Sequence, residues 1–305
     1  MVTERRNSPD ASQLERGADI RMSSKDSVKR IFGERASEWA TAYADREPRT
    51  LSVKTLMARQ RFALQAVEAS LPYGSKILDA GCGPGETAAM LMQRGYEVWG
   101  IDIAEPMIRH ARERNRANRF RVGDIERIPF PDSTFDGVVC LGVLEYLDSD
   151  AKALTEIGRV LKPGGKAVVS TPNALCPLYQ MDRVIVAAES LFAFAKYRLR
   201  GKPMPARPVN FGVDRRNMYH RGSWLRLLRS VGLEPEERLC YGWGWYNSRV
   251  DSLVELLSWS AERLRRILEG FFGRTLLHRV GDSLARSRMF NWVAYEQLVR
   301  LRAAK

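Results

Sequence analysis

The stretch Lys76-Ile77-Leu78-Asp79-Ala80-Gly81-Cys82-Gly83-Pro84-Gly85-Glu86-Thr87 decides how the chain is read. It starts with apolar residues, arrives at an acid, turns through three alternate glycines and runs into a segment that opens on Glu86. An apolar run, then glycines, then a helix-forming segment reads as strand, tight loop, helix. Glycine suits such a loop because it adopts backbone angles closed to other residues and lets a ligand approach the main chain. The dinucleotide fingerprint G-x-G-x-x-G sets a pyrophosphate on the helix N-terminus. Here the spacing is G-x-G-x-G with Pro84 inserted, and acids stand before the first glycine and at the helix start. That suits a cationic or amine-bearing ligand better than a diphosphate. A purely architectural turn would use the same residues, so the loop needs its neighbours before a ligand can be assigned.

Outward from the loop, short β-rich runs at residues 77–78, 98–101, 120–122, 135–141 and 167–170 alternate with helical segments. Strand alternating with helix implies parallel pairing, because each crossover must return to the same end of the sheet. The expected fold is α/β, a doubly wound, mostly parallel sheet of seven strands. Its first connecting helix, 86–94, should stop at a left-handed Gly95. The turn signal Lys162-Pro163-Gly164-Gly165 should precede the fifth strand. After Asn173 the alternation breaks: residues 176–208 read as an insertion, followed by a helix over 222–231 capped by Gly232, a sixth strand over 237–245, amphipathic helices over 249–268 and 271–285, and a last strand over 290–299. Ahead of the sheet, residues 1–25 read as a disordered polar tail. Residues 26–72 read as a helical cap, in which Val28, Ile31, Phe32, Trp39 and Tyr43 fall at near-helical spacing. The sheet domain is then 73–175 together with 209–305.

The chain has 305 residues and a net charge of +13, unevenly placed. Residues 1–176 are nearly balanced, whereas 177–305 hold 23 basic against 12 acidic residues, a surplus of +11. A basic field of this kind favours an acidic partner: an anionic membrane surface, an acidic carrier protein, a phosphorylated or carboxylated substrate, or nucleic acid. No tight Lys/Arg run with interleaved aromatics occurs, which argues against nucleic acid. Four dispersed cysteines without a C-x-x-C pair or a Cys/His cluster read as reduced thiols, and no metal is expected. The polar N-terminus and the lack of a long apolar run point to a cytoplasmic protein with peripheral membrane contact left open.

Asp102 closes the second predicted strand, where a carboxylate can meet ribose hydroxyls. Asp124 follows the third, in Arg121-Val122-Gly123-Asp124-Ile125-Glu126. Together with the glycine loop, Gly100-Ile101-Asp102-Ile103, Phe130-Pro131-Asp132-Ser133-Thr134-Phe135-Asp136 and Leu161-Lys162-Pro163-Gly164-Gly165 make five ordered motifs over about residues 77–172. On these motifs the chain resembles the class I S-adenosylmethionine-dependent methyltransferases of the small-molecule type, the group that contains the ubiquinone and menaquinone biosynthesis enzymes. The resemblance implies a Rossmann-like sheet and S-adenosylmethionine as cofactor. It implies that Asp79, Gly81, Cys82 and Gly83 line the methionine half, and that Asp102 binds the ribose. Ile103 and Met107 would pack on adenine, with Asp124 accepting from its amino group and the Ile125 amide donating to a ring nitrogen. Leu141 and Gly142 would lie beneath the sulfonium. Core packing is the competing reading for Met107 and Ile125, and turn formation for Asp132 and Asp136.

One departure from that pattern is Glu145-Tyr146, where relatives often carry Glu-His. Glu145 faces the pocket in the family picture, although capping or ion pairing would also explain it. Methyl transfer needs a general base only for a hydroxyl or a protonated amine. His220 and Tyr219 are the candidates, with a structural role as the alternative. The acceptor is expected to be small or lipophilic and methylated on oxygen. Segments outside the sheet would choose it, namely the N-terminal helices, the insertion and the late helices. Protein or nucleic-acid acceptors, or a cofactor-binding partner without activity, are the other readings. The oligomeric state is not legible.

Overall fold

The computed structural model describes residues 24–44, 51–116, 119–174, 176, 219–241 and 296–304. Three helices lead in: α1 (Ser24–Glu34), α2 (Ala36–Ala44) and α3 (Leu51–Glu68). Then follow β1 (Lys76–Ala80), α4 (Glu86–Gln93), β2 (Glu97–Asp102), α5 (Glu105–Asn115), β3 (Phe120–Val122), β4 (Phe135–Cys140), α6 (Asp150–Val160), β5 (Leu161–Pro172), α7 (Arg221–Ser230), β6 (Leu233–Tyr241) and β7 (Glu296–Ala303). They form one seven-stranded sheet in the order β3-β2-β1-β4-β5-β7-β6. The pairs from β3 to β5 are parallel, while β7 runs antiparallel to both β5 and β6. The expected doubly wound, mostly parallel sheet is therefore present. Its order reverses between β1 and β4, and ligands of such sheets settle at that crevice, beyond the strand C-termini.

The strands sort their side chains by parity, as period-2 geometry requires. Leu78, Val138, Cys140, Ala167 and Val169 face a core shared with Leu154 and Ile157 of α6 and Trp224 and Leu228 of α7. Ile77, Val139 and Val168 face the opposite layer, with Phe62, Ala63, Ala66 and Val67 of α3 and Ala88 and Leu91 of α4. Asp79 shares its parity with Ile77, so it points toward α3 and α4. Each buried Ile, Leu or Phe contributes about 1.5–3 kcal/mol of apolar transfer, and the sheet carries two such layers. Gly95 and Gly232 adopt the left-handed angles expected after α4 and α7 (φ 82° and 75°).

Some boundaries differ from the sequence reading. Residue pairing places Leu161 opposite Phe135 and Lys166 opposite Gly137, so Lys162-Pro163-Gly164-Gly165 forms a bulge inside β5 and does not precede it. Asp136 holds this bulge, accepting from Lys162 Nζ at 2.6 Å and from the Lys76 amide at 2.8 Å. Asp132 binds Arg159 at 2.7 Å, so both acids shape turns. The sixth strand starts at Leu233, four residues early, because pairing resumes past Pro235 through a register shift. The last strand continues to Ala303, since Val299, Leu301 and Ala303 alternate inward while Arg300 meets Glu236 and Glu237 on β6. The helical cap begins at Ser24, which makes Lys25 a helix residue and not the end of a tail. Most of the insertion 176–208, the helices 249–287 and the Tyr43 side chain lie outside the described residues.

Candidate active site

The glycine loop crosses the switch point, and its backbone groups are largely committed. The Gly81 and Cys82 amides both donate to the Ile101 carbonyl, at 2.8 and 2.9 Å, which ties the loop to the end of β2. Gly83 N–H donates to Asp102 Oδ2 at 3.0 Å, and Gly85 N–H to the Cys82 carbonyl at 3.0 Å. Pyrophosphate loops work by offering free N–H groups to an anion. This loop spends them internally, and the acid beside it is buried Asp79, so it suits a cation better than an anion. Gly81 has φ 80°, and a Cβ there would stand 2.3 Å from Val143 Cγ2, so the position demands glycine twice over.

Asp79 stands at the mouth of the loop, 2% exposed, with Oδ2 lacking a hydrogen-bond partner. Burial, reinforced by the field of Asp102, pushes its pKa up to about 7, against the pull of the Ala88 amide. The Asp102 carboxyl is likewise raised by burial and lowered by the amides of Ala104, Gly83 and Ile103. It accepts from Ala104 N–H at 2.9 Å through Oδ1 and from Gly83 through Oδ2, which fixes its plane while leaving lone pairs for hydroxyl donors. Two carboxylates in one another's field gain from a cationic group set near both. Cys82 is buried, and its thiol is driven well above its usual range by burial and by the same two acids. It is a thiol that fits the loop, not a reactive one.

The adenine-side candidates are gathered at the ends of β2 and β3, and here the N-terminal helices intervene. Lys25 of α1 binds Asp124 Oδ2 at 2.6 Å and Glu126 Oε2 at 2.5 Å. Asp124 Oδ1 accepts from Glu126 N–H at 2.9 Å. Met107 is buried in a small cluster with Ala36, Ala104, Phe32 and Trp39. Phe32 also meets Tyr146 edge-on, with centroids 5.3 Å apart. Ile125 is buried in the main core, whereas Ile103 is half-buried beside Asp102. Sequence reading missed Lys25 because its partners lie about a hundred residues away.

At the far side of the loop, Leu141 and Gly142 follow β4 directly. Gly142 N–H donates to Ser170 Oγ of β5 at 2.9 Å, and Gly142 has φ 68°. A Cβ on Gly142 would stand 2.2 Å from an Arg59 guanidinium nitrogen. Arg59 and Gln60 of α3 are 7% and 5% exposed, and they line the pocket with Asp79, Gly81, Thr87 and Leu141. Gln60 Nε2 reaches Thr87 Oγ1 at 3.4 Å. Sequence reading missed Arg59, although Arg59, Ala63 and Val67 recur every four residues and so share the face that α3 turns to the sheet. Glu145 is 1% exposed in the turn Leu144–Tyr146; the Cys140 thiol is raised first by burial and then by Glu145 and Asp79, while Arg59 lowers it. These charges therefore converge on the end of β4.

His220 and Tyr219 sit on the β5 side. His220 caps α7, its Nδ1 accepting from Ser223 N–H at 3.4 Å. The Tyr219 ring packs on Trp224 at 5.0 Å, and its carbonyl accepts from buried Gln297 at 3.1 Å. Tyr219 also bridges Asn173, so both residues are anchored at the C-terminal end of β5. The pocket is thus lined by Asp79, the glycine loop and Leu141, with Asp102 bound to the loop; His220 and Tyr219 are held at the C-terminal end of β5 and are not among its lining residues.

Sheet order and loop define a Rossmann-like frame with a buried acid beside its glycine turn. Residues 78–169 match the family described as Methyltransferase domain. A malonyl-[acyl-carrier protein] O-methyltransferase from Salmonella typhimurium is 30% identical over 268 residues, 87% of each chain. A demethylmenaquinone methyltransferase from Thermus thermophilus is 42% identical over 117 residues, 36% of this chain and 53% of that protein. In fold, the chain is similar to magnesium protoporphyrin IX methyltransferase from Synechocystis, solved with S-adenosylhomocysteine. There the TM-score is 0.58 at 14% identity, over 91% of this chain and 99% of that one. The chain belongs to the class I S-adenosylmethionine-dependent methyltransferases, and its cofactor is S-adenosylmethionine.

Proposed function

We propose that the chain transfers the methyl group to an oxygen of a small or lipophilic acceptor, by in-line displacement at the end of β4. The observation that carries the cofactor side of this reading is the glycine loop with its N–H groups consumed, next to a buried carboxylate with a vacant oxygen. Bound there, S-adenosylmethionine supplies a methyl group already activated on a sulfonium. The chain's part is to hold and orient. Asp79 and the loop carbonyls would take the ammonium, and Asp102 the ribose hydroxyls. Asp124, the Ile125 amide, Ile103 and Met107 would surround adenine once Lys25 and the helix pair accommodate it. Leu141 and Gly142 would floor the reacting centre, where the acceptor must come in line within about 3–3.5 Å of the methyl carbon.

Support for an oxygen acceptor comes from the relative that spans most of both chains and is named as an O-methyltransferase. Support for a lipophilic acceptor comes from the relative named for demethylmenaquinone. The +11 surplus after residue 176 fits an acidic carrier or an anionic surface presenting the acceptor. Glu145, buried in the turn that follows β4, is the acidic candidate on the acceptor side. His220 could take a proton only by giving up its cap on α7. The test is incubation of a lysate with methyl-labelled S-adenosylmethionine, followed by fractionation into lipid, small-molecule, protein and nucleic-acid pools. Label in the lipid, small-molecule or carrier-bound pool, released as methanol by mild alkali, marks a carboxyl ester. Label confined to nucleic acid contradicts the proposal.

A further inference from the structure

Lys25, near the start of α1, is shared between two acids that differ in burial and in what else they hold. Its Nζ lies 2.6 Å from Asp124 Oδ2 and 2.5 Å from Glu126 Oε2. Burial lowers the pKa of the lysine, but hydrogen bonds and charge from both acids outweigh this and raise it above the usual value, so Lys25 is a cation at neutral pH. The Glu126 side chain is 5% exposed, and its Oε1 accepts from Ser149 N–H at 3.0 Å, at the cap of α6. The Asp124 side chain is 33% exposed, and its Oδ1 accepts from Glu126 N–H at 2.9 Å. A buried carboxylate loses far more on giving up its cation than one open to water. The lysine is therefore held firmly on one side and loosely on the other. The body of α1 has its own anchors: Phe32 meets Trp39 and Tyr146 at 6.0 and 5.3 Å, and Gly33 backs onto Pro106 of α5.

We propose that Lys25 is a built-in competitor that sets cofactor affinity: when the adenine amino group takes Asp124, the lysine passes wholly to Glu126 while α1 stays in place. This rests on the reading of Asp124 as the adenine acceptor. The four-carbon stem of a lysine lets the ammonium swing between two oxygens without moving the helix that carries it. Glu126 is the holding site. It keeps the cation in a pair throughout, and so lowers the cost of freeing Asp124. The two acids thus act on ligand binding in opposite senses although they hold the same lysine. Lys25 on Asp124 opposes adenine, and Glu126 draws Lys25 away.

The test titrates S-adenosylhomocysteine calorimetrically into the wild-type chain, K25M and E126Q. K25M removes the competitor, and binding should tighten about 2- to 5-fold, the range of a partly exposed ion pair. E126Q removes the holding site and leaves the lysine on Asp124, so binding should weaken by about the same factor. Both variants delete the same Lys25–Glu126 ion pair, so a merely structural role would move them in one direction, and that outcome would overturn the proposal. Unchanged affinity in K25M would mean that lysine and adenine share Asp124 Oδ2, and would overturn it as well. The double variant K25M/D124A separates the switch from the reading beneath it. It should lose the affinity gained in K25M, whereas equal affinity in K25M and K25M/D124A would remove Asp124 from the adenine site.

Discussion

The two ends of the cofactor crevice are built on opposite terms. At the end of β1, Asp79 is buried, keeps an unbonded oxygen and has its pKa pushed up to about 7. Beyond β3, Asp124 has a side chain one-third exposed (33%) and already bound to Lys25. The first end is preformed and electrostatically unsatisfied. The second is satisfied by a cation from the chain's own N-terminal helix. The difference teaches where binding energy would come from under the proposed cofactor placement: the methionine end would gain by neutralising a buried acid, whereas the adenine end would have to exchange or share an existing ion pair.

The largest effect should follow Asp79→Asn, which removes the charge and keeps the shape. S-adenosylhomocysteine affinity should fall by about 100-fold, the scale of a lost charge-assisted bond in a buried site. Folding stability at about pH 8 should meanwhile rise by roughly 1–3 kcal/mol, because a buried charge is removed. Binding and stability moving together would break the contrast between the two ends. The pH dependence has a definite sign. Asp79 keeps its proton up to about pH 7 when folded but loses it near 3.8 when unfolded. Its contribution therefore stabilises the fold fully below the lower value and is lost as pH rises through the upper one. Denaturation midpoints measured across that window should fall less steeply in Asp79→Asn than in the wild type.

Next in size is Gly142→Ala. It combines a left-handed backbone angle with a Cβ in the space of Arg59, and should cost about 1–3 kcal/mol by chemical denaturation. At the adenine end, Lys25→Met should cost less, about 0.5–1 kcal/mol, since the ion pair is partly exposed and screened by salt. Its sharper readout is hydrogen exchange: amides in 24–44 should exchange faster while those of β1 and β4 do not change. Uniform acceleration would mean that Lys25 supports the whole fold and is not a local latch. A similar small effect, about 1 kcal/mol, is expected for Ser170→Ala, which leaves the Gly142 amide without its acceptor.

Most of the sheet was readable because its signals are local. Apolar runs mark β1 to β5, and Gly95 and Gly232 mark helix ends, each within a few residues of its cause. Asp79, Asp102 and Asp124 were readable for the same reason, since a strand end is a sequence event and the switch point collects strand ends. The misplaced boundaries have tertiary causes. Pro235 looks like a loop until β7 pairs across it, and Lys162–Gly165 looks like a turn until Phe135 is seen opposite Leu161. Arg59 and Lys25 were missed because nothing local distinguishes them from other basic residues on amphipathic helices. They acquire roles only where α3 and α1 fold back over the crevice. Acceptor choice was read onto segments outside the sheet, and most of those after Asn173 lie outside the described residues.

The proposed capture of the cofactor's ammonium by Asp79 is tested most directly by calorimetric titration of S-adenosylhomocysteine near pH 7 in buffers of different ionisation enthalpy. With the carboxyl about half-protonated in the free site, binding should release roughly half a proton, and Asp79→Asn should release none. An observed enthalpy independent of the buffer, or the same proton release in the variant, would contradict the account.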